Sequence, residues 1–267
     1  MELIPIIRNL EAQTVRQRMS IIQAYLDEWA IPHRLHRYPS GNNLWIPAKR
    51  HPFIGIGSHY DMVRGSPGAN DNASAVAVTL ELLRRQVAFP LGIGDLQFFF
   101  FDEEERGLLG SKAFIKDEGM RGMLGLINLE LVGRGDRLAL WPLKPNSQGF
   151  LIKAIEEQAQ KLGVIVHRFD HLIMHSADHE SFRDAGMGEN AFTLTCISKQ
   201  DVEIAADYFK ALALDASHAT LWEIMRKAPI FEHYHQSTDS SVHLSEDALQ
   251  MVSDVIWGSL QNLSTWK

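Results

Sequence analysis

The stretch FFFFDEEERGLLGS, residues Phe98 to Ser111, runs an unbroken aromatic segment into an acidic cluster and then a glycine-bounded turn. A half-exposed strand carries a polar residue at every second position, so Phe98, Phe99, Phe100 and Phe101 predict a strand covered on both faces. Strands of that kind belong to sheets with helices on both sides. In such sheets ligands bind in the crevice beyond the carboxyl ends of the strands. Glu103, Glu104 and Glu105 stand at that edge.

Upstream, Leu44–Ile46 and Phe53–Ile56 are short β-favouring runs among turn residues such as Pro39-Ser40-Gly41-Asn42, which suggests antiparallel strands leading into the sheet. The second run ends in Gly57-Ser58-His59-Tyr60-Asp61. A loop of small residues, Ser66 to Ser74, then opens a helix with Val76, Leu80 and Leu83 on one face, with Asp71 or Asn72 positioned to cap it. Further back, Val15, Met19, Ile22, Leu26 and Trp29 mark an amphipathic helix that ends before Ile31-Pro32. Downstream the pattern predicts a short helix from Ser111, an apolar run from Met123 to Val132 carrying Glu130 near its end, and a helix from Ser147 to Leu162. Strands follow at Val164–Val166 and Ala191–Ile197. Residues 198–232 form a mostly helical excursion, read as a lid or an oligomer contact. A terminal helix, Ser245 to Leu263, has Leu249, Val252, Ile256 and Leu260 at helical spacing. Strands alternating with helices predict a single α/β domain of three α/β/α layers around a central mixed, mostly parallel sheet.

The chain has 267 residues with 45% hydrophobic and 22% charged content, ordinary for a globular protein. A formal charge of −7 argues against nucleic acid and anionic membranes as partners, since both reward a basic surface. No apolar run is long enough to span a bilayer. The opening MELIPIIRNLEAQTVRQRM lacks the apolar core and cleavage site of a secretory signal, so a cytoplasmic location is the expectation. The single cysteine, Cys196, excludes an intrachain disulfide and is expected to be a small buried filler. Nothing in the composition indicates an oligomeric state.

Taken singly, each acid or histidine reads as an ordinary solvated or hydrogen-bonded group. Taken together, His59, Asp71, Glu105, Glu130 and His235 each end an apolar run or follow one in a small-residue loop, so they can converge on one sheet edge. Imidazole mixed with carboxylate suits zinc, with cobalt or manganese also compatible by ligand type. One carboxylate shared by two ions would make a co-catalytic pair, and Asp71 is the natural bridge.

The segments GSHYD, PGANDNAS, EEERGLLGS, LINLELVGRGD, SADHESF and YHQSTDS, in this order, resemble the di-zinc exopeptidases of metallopeptidase family twenty-eight, which includes bacterial leucyl aminopeptidases, glutamate carboxypeptidases and glutaminyl cyclases. The resemblance runs from about Asn43 to the end of the chain and leaves 198–232 unmatched, as an insertion in a single catalytic domain. It implies two zinc ions per chain, one bound by His59 and Glu130, the other by Glu105 and His235, with Asp71 bridging. It implies that Asp61 accepts a hydrogen bond from the far nitrogen of the His59 ring. Glu104 would be the general base that returns its proton to the departing amine, and Tyr234 would hydrogen-bond the developing oxyanion or serve in packing. Asp178 and His179 would line the pocket for the substrate side chain, whereas Asp102 and Glu103 have no family role. His171, His175 and His179 recur at four-residue spacing and are read as pocket or surface residues, and Gly133-Arg134-Gly135-Asp136 as a turn.

The function so implied is zinc-dependent exopeptidase action on a peptide substrate, with an aminopeptidase as the first reading. A carboxypeptidase, a glutaminyl cyclase and an inactive binding protein of the same fold are the alternatives. Glu130 stands where the aminopeptidases commonly carry Asp, a substitution associated with carboxypeptidase activity. A substrate α-amine would need an acid, for which Glu103 and Asp178 are candidates; an α-carboxylate would need a cation, for which Arg134 and Arg183 are candidates.

Overall fold

The computed structural model describes residues 1–91, 95–170 and 176–263, so His171 and His175 lie outside the described residues. The strands β1 (Arg34–Arg37), β2 (Asn42–Ile46), β3 (Phe53–His59), β4 (Asp95–Phe101), β5 (Met123–Leu129), β6 (Arg137–Trp141), β7 (Val166–Arg168) and β8 (Ala191–Ile197) form one sheet in the order β1-β2-β4-β3-β5-β8-β6-β7. The central strands β4, β3, β5 and β8 run parallel to one another, and β7 runs parallel to β6. The pairs β1/β2, β2/β4 and β8/β6 are antiparallel. Helices α1 (Ile4–Leu10), α2 (Val15–Glu28), α3 (Ser74–Ala88), α4 (Leu109–Asp117), α5 (Phe150–Lys161), α6 (His179–Phe182), α7 (Lys199–Ala213), α8 (His218–Met225) and α9 (Glu246–Leu263) complete the fold.

The phenylalanines of β4 divide between the two faces, as the absence of alternation predicts. Phe98 and Phe100 join the larger core, formed with apolar residues of α1, α2, α3, α5 and α9. Phe99 and Phe101 point the other way, to Trp45, Phe114 of α4 and Phe182 of α6. On that face Phe99 meets Phe114 edge-on at 5.1 Å and Phe101 lies 6.0 Å from Phe182, geometries that ring quadrupoles favour. Since β3 and β4 are in register from Phe53↔Asp95 to His59↔Phe101, His59 and the acids after Phe101 emerge side by side at one edge. This edge carries the candidate site.

Several local expectations are corrected. Neither Asp71 nor Asn72 caps α3; the Ser74 hydroxyl instead donates to the Asn70 carbonyl at 2.7 Å, and the Asn72 amide is drawn to the buried Leu129 carbonyl at 3.0 Å. The segment Arg137–Trp141 is a strand that hydropathy does not separate from the preceding turn, because it is short and buried along almost its whole length. Helix α1, too short and too charged at its C-terminal end to stand out by periodicity, is held from outside: the Glu246 carboxylate of α9 accepts from the Leu3 and Ile4 amides at its start. Helix α4 begins at Leu109 rather than Ser111, α5 begins at Phe150 rather than Ser147, and β7 starts at Val166, where the 164–166 expectation ends. The 198–232 stretch is mostly helical as expected, with α7 opened by a capping box between Ser198 and Asp201. Val202, Ile204, Ala228 and Ile230 of that stretch pack on Leu131, Ala139 and Ile197. Cys196 is buried and free. No helix among the described residues is long and apolar enough to cross a membrane.

Phe100 is fully buried in the larger core, so Phe100→Ala should destabilise the fold by about 3–5 kcal/mol in chemical denaturation. Phe89 is 66% exposed, and Phe89→Ala should stay within about 0.5 kcal/mol.

Candidate metal centre

Five segments at the carboxyl edge of the sheet bring the site together: the end of β3 with the turn after it, the loop leading into α3, the turn after β4, the residue after β5 and the loop ahead of α9. His59 is the last residue of β3, Glu104 and Glu105 lie in a short helical turn after β4, and Glu130 directly follows β5. Asp71 sits in the 69–73 turn that leads into α3, and His235 comes from the loop ahead of α9. Asp61 joins the turn after β3 to the turn after β4: its carboxylate accepts from the Glu104 and Glu105 amides at 3.1 and 3.2 Å and lies 3.2 Å from His59 Nδ1. An acceptor at Nδ1 leaves His59 Nε2 as the ring nitrogen free to ligate.

Around Asp71 the arrangement is bidirectional. His59 Nε2 lies 3.3 Å from Asp71 Oδ1 and 3.0 Å from Glu130 Oε1. His235 Nε2 lies 3.2 Å from Asp71 Oδ2 and 3.2 Å from Glu105 Oε2. The donor atoms of His59, Asp71 and Glu130 lie within 4.8 Å of one another, as do those of Asp71, Glu105 and His235. Two triads therefore share one carboxylate, each oxygen serving its own side. Glu104 shares a third such group with His59 and Glu105.

The charge state of this cluster tests whether it suits a cation. Burial pushes Glu105 up, as does Asp71 beside it; burial lifts Glu130 to about 7 and Glu104 well above the usual carboxylate range. Burial alone would lower His59, but Glu130 and hydrogen bonds to Asp61 and Asp71 outweigh it and hold the ring well above its ordinary value. His235, likewise opposed by burial, is raised to about 10 by Asp71 and Glu105. Asp71 moves the other way: its hydrogen bonds to His235 and His59 overcome burial and keep it far below the usual range. Crowded acids thus recruit protons onto both imidazoles, the response of a site whose donors call for positive charge. Glu105 Oε1 is buried with no hydrogen-bond partner, an acceptor that a cation would satisfy. The residues fit a divalent metal pair with nitrogen and oxygen ligands.

The remaining expected residues fall around this cluster. Tyr234 stacks on His235 with centroids 3.7 Å apart, and burial with the charges of Asp71 and Glu105 raises its phenol far above its ordinary value. Asp178 is fully buried, and neither of its carboxylate oxygens has a partner at normal hydrogen-bond geometry; burial lifts it to about 7 against the pull of His59 and the Ser111 hydroxyl. His179 is also fully buried, with Nδ1 2.7 Å from Thr193 Oγ1 and its ring edge-on to Trp141. Glu103 is engaged by Ser40 at 2.5 Å and by Arg106, and Asp102 accepts from the Asn42 amide. Arg134 reaches Glu232 and the Pro229 carbonyl, and Arg183 the Ala191 carbonyl.

Two supporting residues, Asp239 and Arg18, escaped the sequence reading, and Asn72, expected as a cap, supports the site instead. The Asp239 carboxylate accepts from the Asn70 and Asp71 amides at 2.9 and 3.1 Å, joining the His235 loop to the Asp71 loop. Asn72 donates to Glu130 Oε2 at 3.1 Å. Arg18, on α2, is 1% exposed and donates to backbone carbonyls of the 60–68 loop. Asp239 and Asn72 lie inside the YHQSTDS and PGANDNAS segments, and Arg18 interrupts the apolar stripe of its helix between Val15 and Ile22. A charge on such a stripe was the available signal.

Comparison with known proteins identifies the family and the fold. The chain is 27% identical over 218 residues to aminopeptidase YwaD of Bacillus subtilis, covering 78% of this chain and 40% of that protein. It therefore spans less than half the length of this relative. Among solved structures, the zinc aminopeptidase BSAP of Bacillus subtilis superposes with a TM-score of 0.63 at 23% identity, over 84% of this chain and 50% of that one. Porphyromonas gingivalis glutaminyl cyclase superposes with a TM-score of 0.70 at 16% identity, over 98% of this chain and 97% of that one. At these identities the structures share the fold. The model of peptidase family M28 matches residues 45–260, which take in every residue of the two triads, and the chain belongs to that family.

Proposed function

We propose that the chain is a zinc-dependent exopeptidase, an aminopeptidase that releases N-terminal residues from peptides. The observation that carries this reading is Asp71, whose two oxygens face two different histidines, each accompanied by a second acid. One zinc ion held by His59, Glu130 and Asp71, and another held by Glu105, His235 and Asp71, would polarise the scissile carbonyl and make a water nucleophilic at neutral pH. Glu104, its carboxyl lifted by burial, accepts the proton of the attacking water. It then delivers that proton to the amine nitrogen as the carbon–nitrogen bond breaks. Asp61 holds the His59 tautomer and, through the Glu104 amide, the backbone of the base. Tyr234 stays a neutral phenol and donates to the carbonyl oxygen as negative charge develops there. The helices of 198–232 are an insertion in this single catalytic domain.

Recognition of an α-amine is favoured over recognition of an α-carboxylate by what is already engaged. Arg134 and Arg183 are directed to Glu232 and backbone carbonyls. Glu103 is taken by Ser40 and Arg106, whereas the Asp178 oxygens have no partner at normal hydrogen-bond geometry. A substrate ammonium would offer Asp178 the charge it lacks. His179 holds that segment against Thr193 and Trp141.

Hydrolysis of aminoacyl-arylamides should be abolished by a chelator and restored by zinc, while peptides with a blocked amine and a free carboxylate should not be cleaved. The reverse preference would assign a carboxypeptidase, and cyclisation of glutaminyl peptides with one zinc per chain would assign a cyclase. Glu104→Gln should lower kcat by about 10²–10⁴-fold, with metal content by elemental analysis unchanged. Unchanged kcat in that variant would remove Glu104 from the chemistry. For Tyr234→Phe a loss of about 10²-fold in kcat with little change in KM is expected, the pattern of an interaction made only in the transition state.

A further inference from the structure

The ligand loops are held by a part of the chain outside the family match. Residues 45–260 contain every proposed ligand, yet the helical hairpin α1–α2 before them grips both loops. Arg18 Nε donates to the Leu10 carbonyl at 3.0 Å; one terminal nitrogen reaches the Tyr60 and Asp61 carbonyls at 3.3 and 3.5 Å, the other the Pro67 and Gly68 carbonyls at 2.7 and 2.8 Å. These carbonyls begin right after His59 and end shortly before Asp71. One guanidinium thus closes the loop between a terminal ligand and the bridging one. Close by, the Ala12 amide donates to the Pro67 carbonyl, and the Glu11 carboxylate accepts from the Ser241 amide at 2.7 Å, the Ser241 hydroxyl at 2.9 Å and the Ser240 hydroxyl at 3.2 Å. That second contact fixes the segment after Asp239, whose carboxylate holds the Asn70 and Asp71 amides.

Resting on the reading of the site as a metal centre, we infer that Arg18 is a positioning residue for it. The planar fork of Arg18 sets the spacing between His59 and Asp71, and Glu11 sets the His235 loop against the same hairpin. Among the described residues its hydrogen-bond partners are backbone carbonyls, so Arg18 acts through backbone geometry. A lysine retains the charge but offers three donors on a flexible stem in place of five in a fixed plane, and cannot span the same carbonyls.

The test titrates metal-stripped, full-length protein with Zn²⁺ against a competing chelator and records the visible spectrum of the Co²⁺-loaded form. Arg18→Met and Arg18→Lys should both bind Zn²⁺ at least about tenfold more weakly and show an altered Co²⁺ band, while Arg16→Met, an exposed position on the same helix, should match wild type. Wild-type affinity and spectrum in folded Arg18→Met would overturn the inference, even with a lowered melting temperature, because the residue would then serve only stability. A Lys variant indistinguishable from wild type would overturn it by showing that charge alone suffices, and this arm carries the test where Arg18→Met does not fold. Wild-type protein that takes up no Zn²⁺ or Co²⁺ would overturn the metal-centre reading itself, and the inference with it.

Discussion

Negative charge gathered in a buried space is the constraint on which the rest of the structure depends. Asp61, Asp71, Glu104, Glu105, Glu130 and Asp178 meet at one sheet edge, and the nearby groups able to balance them are His59, His235 and, behind the loop, Arg18. Carboxylates crowded in low dielectric either protonate or acquire a cation. Here both responses are visible at once: Glu104 and Glu130 move up, and the imidazoles hold protons. Unbalanced, such an arrangement is costly, and divalent cations held by the two triads would relieve it, which would link folding of the edge to ion binding through the same groups.

That crowding needs rigid support, and the support is mostly backbone. Glu103, Leu131 and His235 have φ of 54°, 52° and 58°, left-handed values that side chains adopt at a cost of about 1–3 kcal/mol each. Leu131 follows a proposed ligand, His235 is one, and Glu103 precedes the proposed base. Their conformations persist because neighbouring contacts over-determine them: Asn72 donates to the Leu129 carbonyl and accepts from the Leu131 amide, Asp239 ties the His235 loop to Asp71, and Ser40 with Arg106 pins Glu103. Arg18 belongs to the same set. Burial lowers its guanidinium to about 10, against which the carboxylates of Asp71 and Asp239 pull it back up.

Much of this edge was legible in the sequence because it is written in short segments. Unbroken aromatics from Phe98 to Phe101 imply two-sided burial, and β4 has it. Each ligand candidate follows an apolar run, and parallel register then brings His59, Glu105 and Glu130 to one level without any detail of side-chain geometry. What escaped depends on long-range pairing. Strand β6 is defined by its antiparallel partner β8 rather than by its own pattern, and α1 by a carboxylate more than two hundred residues away. Asn72 looks like a cap by position, but the unpaired Leu129 carbonyl at the end of β5 is a stronger claim on its amide. Supporting residues such as Arg18 and Asp239 act on backbone: the charge that interrupts the apolar stripe of α2 marks Arg18 as unusual, but no residue-type pattern names the carbonyls it holds.

The substitution at the fourth ligand position bears on substrate class less than the sequence suggests. An extra methylene in Glu130 lengthens its reach, which on its own would shift or weaken one metal. The structure absorbs the length: Asn72 donates to Oε2 at 3.1 Å, and Oε1 still arrives 3.0 Å from His59. Charge and donor type are therefore kept, with one oxygen still beside His59. Selection between an amine and a carboxylate terminus must come from groups outside the triads. There the balance is set by an acid with no partner at normal hydrogen-bond geometry, Asp178, against arginines directed elsewhere, Arg134 and Arg183. A substrate carboxylate would have to draw Arg134 from Glu232 or Arg183 from the Ala191 carbonyl, while a substrate ammonium reaching the buried Asp178 would favour its charged form. On the proposed reading of the site, the electrostatics of the pocket wall, and not the reach of Glu130, would tilt it toward the amino end of a peptide.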